Sequence, residues 1–336
     1  MVQSSSFYPI METGIICLVG FVVCFFALPV IMRKMTERGV VGRDAHKIDH
    51  PMIPEMGGLG IMLGLVACSA VGMIILPDER MMFLSFIGTV LIAGIIGAYD
   101  DLKPLNARVK PILTAFAGLP ILLMGTYTPS IVFPFIGGTR LTRVYPLLLP
   151  IVMAVTSNAV NMMDPFNGVM AGSSSIITVT LLITALILGK SEGVILSVAL
   201  LGALLAFFYY NKYPSRVFSG DAGSLSVGAA LGAIAVLGRL EIVAVVAFMP
   251  QIMNAFFGLS TIGRLYERRE VARPTRLMED GRMRARADPK APITLARFIL
   301  ARGPLRENEA SQAFMILSVI AGGLALITAY MMLVFP

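Results

Sequence analysis

Long apolar runs, separated by short stretches that carry charge, proline or glycine, recur along the whole chain. Read as helices, they predict ten spans, near 14–32, 57–76, 82–99, 111–126, 146–162, 173–189, 193–210, 222–239, 241–262 and 313–334. Most approach the roughly 20 residues that a helix needs to cross hydrocarbon. Between the fourth and fifth, Thr128-Pro129, Gly137-Gly138 and the alternation of Ile131, Phe133 and Phe135 predict a short external hairpin over 127–145. Between the ninth and tenth lies a long polar stretch, 263–312. The expected architecture is therefore an all-α integral membrane protein, one polytopic domain over 1–336, with 263–312 as a large cytoplasmic loop that adds to the site.

Composition sharpens the class. Of 336 residues, 57% are apolar and 14% charged, and the mean hydropathy is +0.82. Soluble domains run at about 45–50% apolar and about 25% charged, so this chain has too few charges to cover a water-facing surface. No nucleic-acid partner is expected; membrane lipid is. Cys17, Cys24 and Cys68 all lie within apolar runs and lack paired spacing, which predicts neither zinc nor disulfide chemistry. The first residues hold no Lys or Arg ahead of the first apolar run, so no cleavable signal is expected and Met1 reads as part of the mature chain.

The cations give a sidedness. Of the 27 Lys and Arg, 22 fall in the loops 33–56, 100–110, 163–172, 211–221 and 263–312. Lys and Arg favour the cytoplasmic side. The even number of spans then puts both termini outside, in a prokaryotic plasma membrane or an ER-type membrane.

The acids and amides gather on that same cytoplasmic side. Asp100-Asp101 ends the third span, Asn158, Asn161 and Asp164 end the fifth, Asn167 follows, and Asp221 precedes the eighth. Ionisable groups at a membrane edge cost free energy unless they have a partner or a task. Adjacent aspartates repel and call for a cation. Carboxylate and amide oxygens are hard ligands suited to Mg²⁺, with Mn²⁺ as the alternative ion. Lys110 lies near them at the start of the next span, and Arg273 and Arg276 sit in the large loop as Arg-Pro-Thr-Arg. Such cations suit phosphate oxygens, so the set describes a metal-diphosphate site.

In this order the residues resemble the polyprenyl-phosphate N-acetylhexosamine-1-phosphate transferases, and within them the eukaryotic-type UDP-GlcNAc:dolichyl-phosphate enzymes. The matching stretches are Gly42-Arg43-Asp44 with Ile53-Pro54-Glu55; Tyr99-Asp100-Asp101 with Lys110; Asn158-Ala159-Val160-Asn161 with Asn167-Gly168; and Tyr213-Pro214-Ser215-Arg216-Val217-Phe218-Ser219-Gly220-Asp221. Met249-Pro250-Gln251 with Asn254, and Gly303-Pro304 before Glu307, extend them. The resemblance implies that Asn161 and Asp221 hold Mg²⁺, that Asp100 and Asp101 lie at the reaction centre, and that Lys110 contacts phosphate. It implies Glu55 and Asn167 around the uridine, and Arg273 and Arg276 on the diphosphate of a UDP-N-acetylhexosamine. Asp164 and Arg216 receive no settled role. Pro104 stands where bacterial relatives carry a third acid, and Ala272 where the eukaryotic type has His.

The implied reaction is magnesium-dependent transfer of N-acetylhexosamine-1-phosphate, GlcNAc-1-phosphate foremost, from a UDP-sugar to dolichyl or polyprenyl phosphate, with release of UMP. Such a step opens lipid-linked glycan assembly and protein glycosylation. The competing class is a secondary transporter or ion-coupled exchanger, for which polar residues at span ends also serve; their placement at one face instead of mid-membrane speaks against it. Asp280-Gly281-Arg282 suggests a CDP-alcohol phosphatidyltransferase only faintly, because the following Ala285-Arg286 is misplaced by one position. The pattern leaves the oligomeric state open, with a homodimer admissible.

Overall fold

The computed structural model describes residues 10–266 and 270–335. Helix α1 (Ile10–Glu37) opens the chain, followed by a small antiparallel hairpin of β1 (Val41–Arg43) and β2 (Met52–Pro54), then α2 (Gly58–Ile75) and α3 (Arg80–Leu102). Two short helices, α4 (Val109–Ala115) and α5 (Leu119–Met124), precede the hairpin of β3 (Ser130–Phe133) and β4 (Gly137–Arg140). Then come α6 (Tyr145–Met162), α7 (Val169–Ile187), α8 (Ser191–Asn211), α9 (Gly220–Leu237), α10 (Glu241–Ala247) and α11 (Met249–Ile262). A hairpin of β5 (Thr275–Leu277) and β6 (Met283–Ala285), helix α12 (Leu295–Ala301) and the long α13 (Glu307–Val334) complete the fold.

Eight helices among the described residues are long and apolar enough to cross a membrane, or nine if α10 and α11 count as one span. The sequence predicted ten, and the two shortfalls have physical causes. The fourth predicted span is split into α4, a 3-10 turn over Phe116–Gly118, and α5, with Pro120 opening the last piece. The ninth is bent by 63° between α10 and α11, just ahead of Pro250. Proline has no N–H for the preceding turn and its ring crowds the carbonyl there, so an otherwise apolar run breaks. A hairpin is present at the predicted place, as β3 and β4.

Helix α9 is the axis of the bundle: every residue from Ala222 to Leu237 is buried. By contrast α1 and α13 expose large apolar side chains such as Phe26 and Leu324, faces that only hydrocarbon solvates without loss. Glycine lets α2 and α3 reach the axis. A Cβ on Gly58 would fall 2.1 Å from the Cα of Gly223, and one on Gly97 would fall 2.3 Å from the carbonyl oxygen of Asp221. The chain entering α9 is also pinned by backbone bonds, Gly57 N–H to the Phe218 carbonyl at 2.8 Å and Gly58 N–H to the Ser219 carbonyl at 2.9 Å.

The stretch expected as a large loop is ordered over much of its length. Met283 and Leu305 exchange backbone hydrogen bonds at 2.7 and 3.0 Å. Met283, Ala296 and Leu300 then pack with Phe166 and Phe314 in a small apolar cluster. This appendage sits against the ends of α6, α7 and α13, and α13 starts at Glu307, ahead of the predicted 313.

Candidate active site

Four helix ends converge at one end of the bundle. Asp100 and Asp101 lie in the last turn of α3, Lys110 in the first turn of α4, Asn161 in the last turn of α6 and Asp221 in the first turn of α9. Asp221 is the meeting point. Its Oδ1 accepts from Asn161 Nδ2 at 2.6 Å and its Oδ2 from Lys110 Nζ at 2.8 Å. Asn161 Nδ2 also donates to Ser224 Oγ at 2.8 Å. Lys110 forms a second ion pair with Asp100, and both are buried. Asp100 Oδ1 in turn accepts the Leu105 N–H at 2.5 Å, which turns the chain sharply after α3.

The two neighbouring aspartates do different work. Asp101 spans the start of α9, its Oδ1 accepting from Asp221 N–H at 2.7 Å and its Oδ2 from Ala222 N–H at 3.0 Å. A helix start offers unpaired N–H groups and a partial positive charge, so a carboxylate there is favourable. Both oxygens of Asp101 are thus committed to holding α9, whereas Asp100 shares Lys110 with Asp221.

A second network lies beside the first. Asn167, between α6 and α7, donates its backbone N–H to Glu307 Oε1 at 2.9 Å and its Nδ2 to Asp44 Oδ2 at 3.2 Å. Lys47 pairs with Asp44 and stands 3.6 Å from Glu307 Oε2. Burial pushes the Asp44 carboxyl up, but the Lys47 ammonium and the His46 and Asn167 N–H groups outweigh it and hold Asp44 below its usual range. Asp44, His46 and Glu307 offer ligand atoms within 4.8 Å of one another, yet Lys47 already supplies the positive charge there.

The remaining expected residues are distributed around these networks. The Glu55 carboxylate lies over Gly42, where any Cβ would meet it at 2.2 Å. Asp164 accepts from Ser219 Oγ at 2.6 Å, joining the end of α6 to the entry of α9. Arg216 is not brought to the centre: its guanidinium lies 4.7 Å from the ring centroid of Tyr209 and 4.8 Å from that of Tyr210. Arg273 and Arg276 line a cavity of about 1020 Å³ between the appendage and the segment Ala45-His46. Asp44, Lys47, Glu307, Ser219 and Ser224 received no role from the sequence. The available signals were the places of Asp44, Ser219 and Glu307 in or beside the matching stretches, and the position of Glu307 as an acid ahead of a long apolar run.

Carboxylates from α3 and α9, with the amide of Asn161, form a hard-oxygen donor set of the kind divalent magnesium takes. Asp100 and Asp221 share a single lysine there, and Asp101 adds a third carboxylate through its bond to the Asp221 N–H. Comparison with known proteins bears on the class. The sequence profile of glycosyl transferase family 4 matches residues 83–239, which contain every one of these centre residues. Over that stretch the chain is similar to glycosyl transferase family 4.

Similar proteins come from archaea and bacteria. A Sulfolobus acidocaldarius protein provisionally named UDP-N-acetylglucosamine–dolichyl-phosphate N-acetylglucosaminephosphotransferase is 28% identical over 247 residues, covering 70% of this chain and 74% of its own. A Bacillus subtilis protein provisionally named undecaprenyl-phosphate N-acetylglucosaminyl 1-phosphate transferase is 30% identical, covering 68% and 64%. The phospho-N-acetylmuramoyl-pentapeptide-transferase of Moorella thermoacetica is 34% identical, covering 56% and 63%.

Proposed function

We propose that the protein transfers N-acetylhexosamine-1-phosphate, with GlcNAc-1-phosphate the group that its relatives' names point to, from a UDP-sugar to dolichyl or polyprenyl phosphate. The observation that carries this reading is the convergence of Asp100, Lys110 and Asn161 on Asp221, beside a cavity rich in arginine. The site faces the cytoplasm in this reading, because the loops that build it hold most of the chain's cations.

The lipid phosphate is the nucleophile. With a second pKa near 6 it is mostly dianionic at neutral pH and needs little base catalysis. One of its oxygens bonds to the sugar-bearing phosphorus of the donor. The bond from that phosphorus to the bridging oxygen breaks, and the bridging oxygen leaves with UMP. In such a reaction positioning and charge neutralisation dominate. A magnesium ion held by Asp221 and Asn161 supplies part of that neutralisation when bound, and the formal charge of three aspartates against one lysine suits a divalent cation. Lys110 offsets charge on the transferred phosphoryl group. Asp100 orients Lys110 and the acceptor phosphate. Asp101 keeps the N-terminus of α9, and with it Asp221, in place. Arg273 and Arg276 hold the diphosphate, and Glu55 and Asn167 border the nucleoside.

The test is incubation of purified protein with Mg²⁺, a polyprenyl phosphate and a panel of UDP-sugars, read by mass spectrometry of the lipid. A lipid product heavier by one N-acetylhexosamine phosphate, formed together with UMP, is the expected result. Unchanged lipid across the panel would overturn the reading. Isotope exchange of UMP into UDP-sugar without any lipid would replace direct attack by a two-step route through an enzyme aspartate.

A further inference from the structure

The cavity between the appendage and Ala45-His46 carries more positive charge than a diphosphate calls for. Arg273, Arg276, Arg284, Arg286 and Arg297 line it against one carboxylate, Asp288, an excess of four charges. Each phosphoryl group of a nucleotide-sugar diphosphate brings only one negative charge. Internal partners do not absorb the surplus. Arg286 reaches Asp288 only at 3.9 Å, and Arg297 donates to the Ala291 carbonyl at 2.7 Å. Among the described residues no ion pair engages Arg273, Arg276 or Arg284.

Placement makes the surplus costly. Arg276 and Arg284 are direct partners across the β5–β6 ladder, and like charges opposite one another destabilise a strand pair. An anion beside the hairpin converts that repulsion into two charge-assisted contacts. The strand pair is itself anchored, because Met283 bonds to Leu305 on one flank and Thr275 is buried. The arginines therefore project from a fixed ribbon. The cavity shares His46 with the second network of the site, where the His46 N–H donates to Asp44 Oδ1 at 3.1 Å.

We propose that this cavity selects a donor whose N-acetylhexosamine carries a further carboxylate, held by Arg284 and Arg286 while Arg273 and Arg276 hold the diphosphate. The guanidinium fork matches a carboxylate with two parallel bonds. The inference rests on the transferase reading above and adds to it the chemical class of the sugar.

The experiment compares UDP-GlcNAc with UDP-N-acetylglucosaminuronic acid as donors for the full-length protein, in nanodiscs of phosphatidylcholine with polyprenyl phosphate and Mg²⁺. The acidic donor is expected to show a kcat/KM higher by about tenfold or more, the range of one to two charged hydrogen bonds. Arg284→Ala and Arg286→Ala are expected to bring the ratio of the two donors toward unity, and Arg284→Lys to preserve part of it. Equal use of both donors by the wild type, or a ratio unmoved in the Arg284→Ala, Arg286→Ala double variant, overturns the inference while leaving the transferase reading intact. Losses that appear only in phosphatidylglycerol nanodiscs, alike for both donors, assign the arginines to lipid headgroups and also overturn it. Turnover of neither donor, nor of any other UDP-sugar, removes the transferase reading itself.

Discussion

The centre around Asp221 and the arginine cavity are both charged, yet they are built in opposite ways. The centre is made from converging helix ends, with Asp100 and Lys110 buried and Asp221 and Asp101 each engaged by partners from a different helix. The cavity is made from a three-residue strand pair and a short helix, with Arg276, Arg284 and Arg286 exposed. Burial near hydrocarbon leaves little freedom to a charged group, since an unpaired one is costly there. Exposed arginines can meet ligands of several shapes. The contrast separates a fixed chemical step from an adaptable choice of substrate.

The comparison breaks most severely at the bundle. Gly58→Ala puts a methyl group 2.1 Å from the α9 backbone, an overpacking expected to cost about 3 kcal/mol or more. Size-exclusion chromatography and thermal unfolding should show loss of the folded protein, whereas Gly323→Ala, with nothing within 4 Å, should behave as wild type. Next in size is Asp221→Asn. Removing the charge on which Lys110 and Asn161 converge should lower kcat by about 10³-fold, at the upper end for one electrostatic group, with unfolding temperature nearly unchanged. Retention of near-normal turnover would remove Asp221 from the centre.

On the cavity side the effects should be milder and fall on binding. Arg276→Ala should raise the donor KM about tenfold, the loss of one charge-assisted contact, and leave kcat within about twofold, because the binding is equally lost from ground and transition states. A kcat loss larger than the KM change would place Arg276 on the reacting phosphoryl group. The smallest effect concerns Asp44. Its carboxyl is held below the usual range by Lys47 and its N–H donors, so its contribution to stability is complete above the unfolded value of about 3.9 and lost as pH falls through the lower folded value. Thermal unfolding followed below pH 4 should therefore fall less steeply for Asp44→Asn than for wild type.

Most of the helices were legible because a membrane enforces apolar runs, and the residues of the centre because polar groups at span ends stand out against them. The breaks were not. Pro120 and Pro250 sit in runs whose hydropathy continues past them, and hydropathy carries no information about direction. The β5–β6 hairpin was hidden for a related reason: Thr275-Arg276-Leu277 and Met283-Arg284-Ala285 are too short to show a period. Glu307 read as part of a loop, since its partner, the Asn167 N–H, lies 140 residues away. The same limit applies to Asp101. Neighbouring helical positions point about 100° apart and so predict separate roles, but only the packing of α3 on α9 shows which: Asp101 grips a helix start while its neighbour faces Lys110.

One side chain joins the two regions. Asn254, in α11 just past the bend, donates its Nδ2 to the Met162 carbonyl at 2.9 Å and accepts the Leu295 N–H at its Oδ1, also at 2.9 Å. Met162 adjoins Asn161, and Leu295 opens α12, whose Arg297 lines the cavity. A single amide thus rivets recognition to chemistry, and a shift of α12 as cargo settles into its berth pulls directly on the residue next to the one that steadies Asp221.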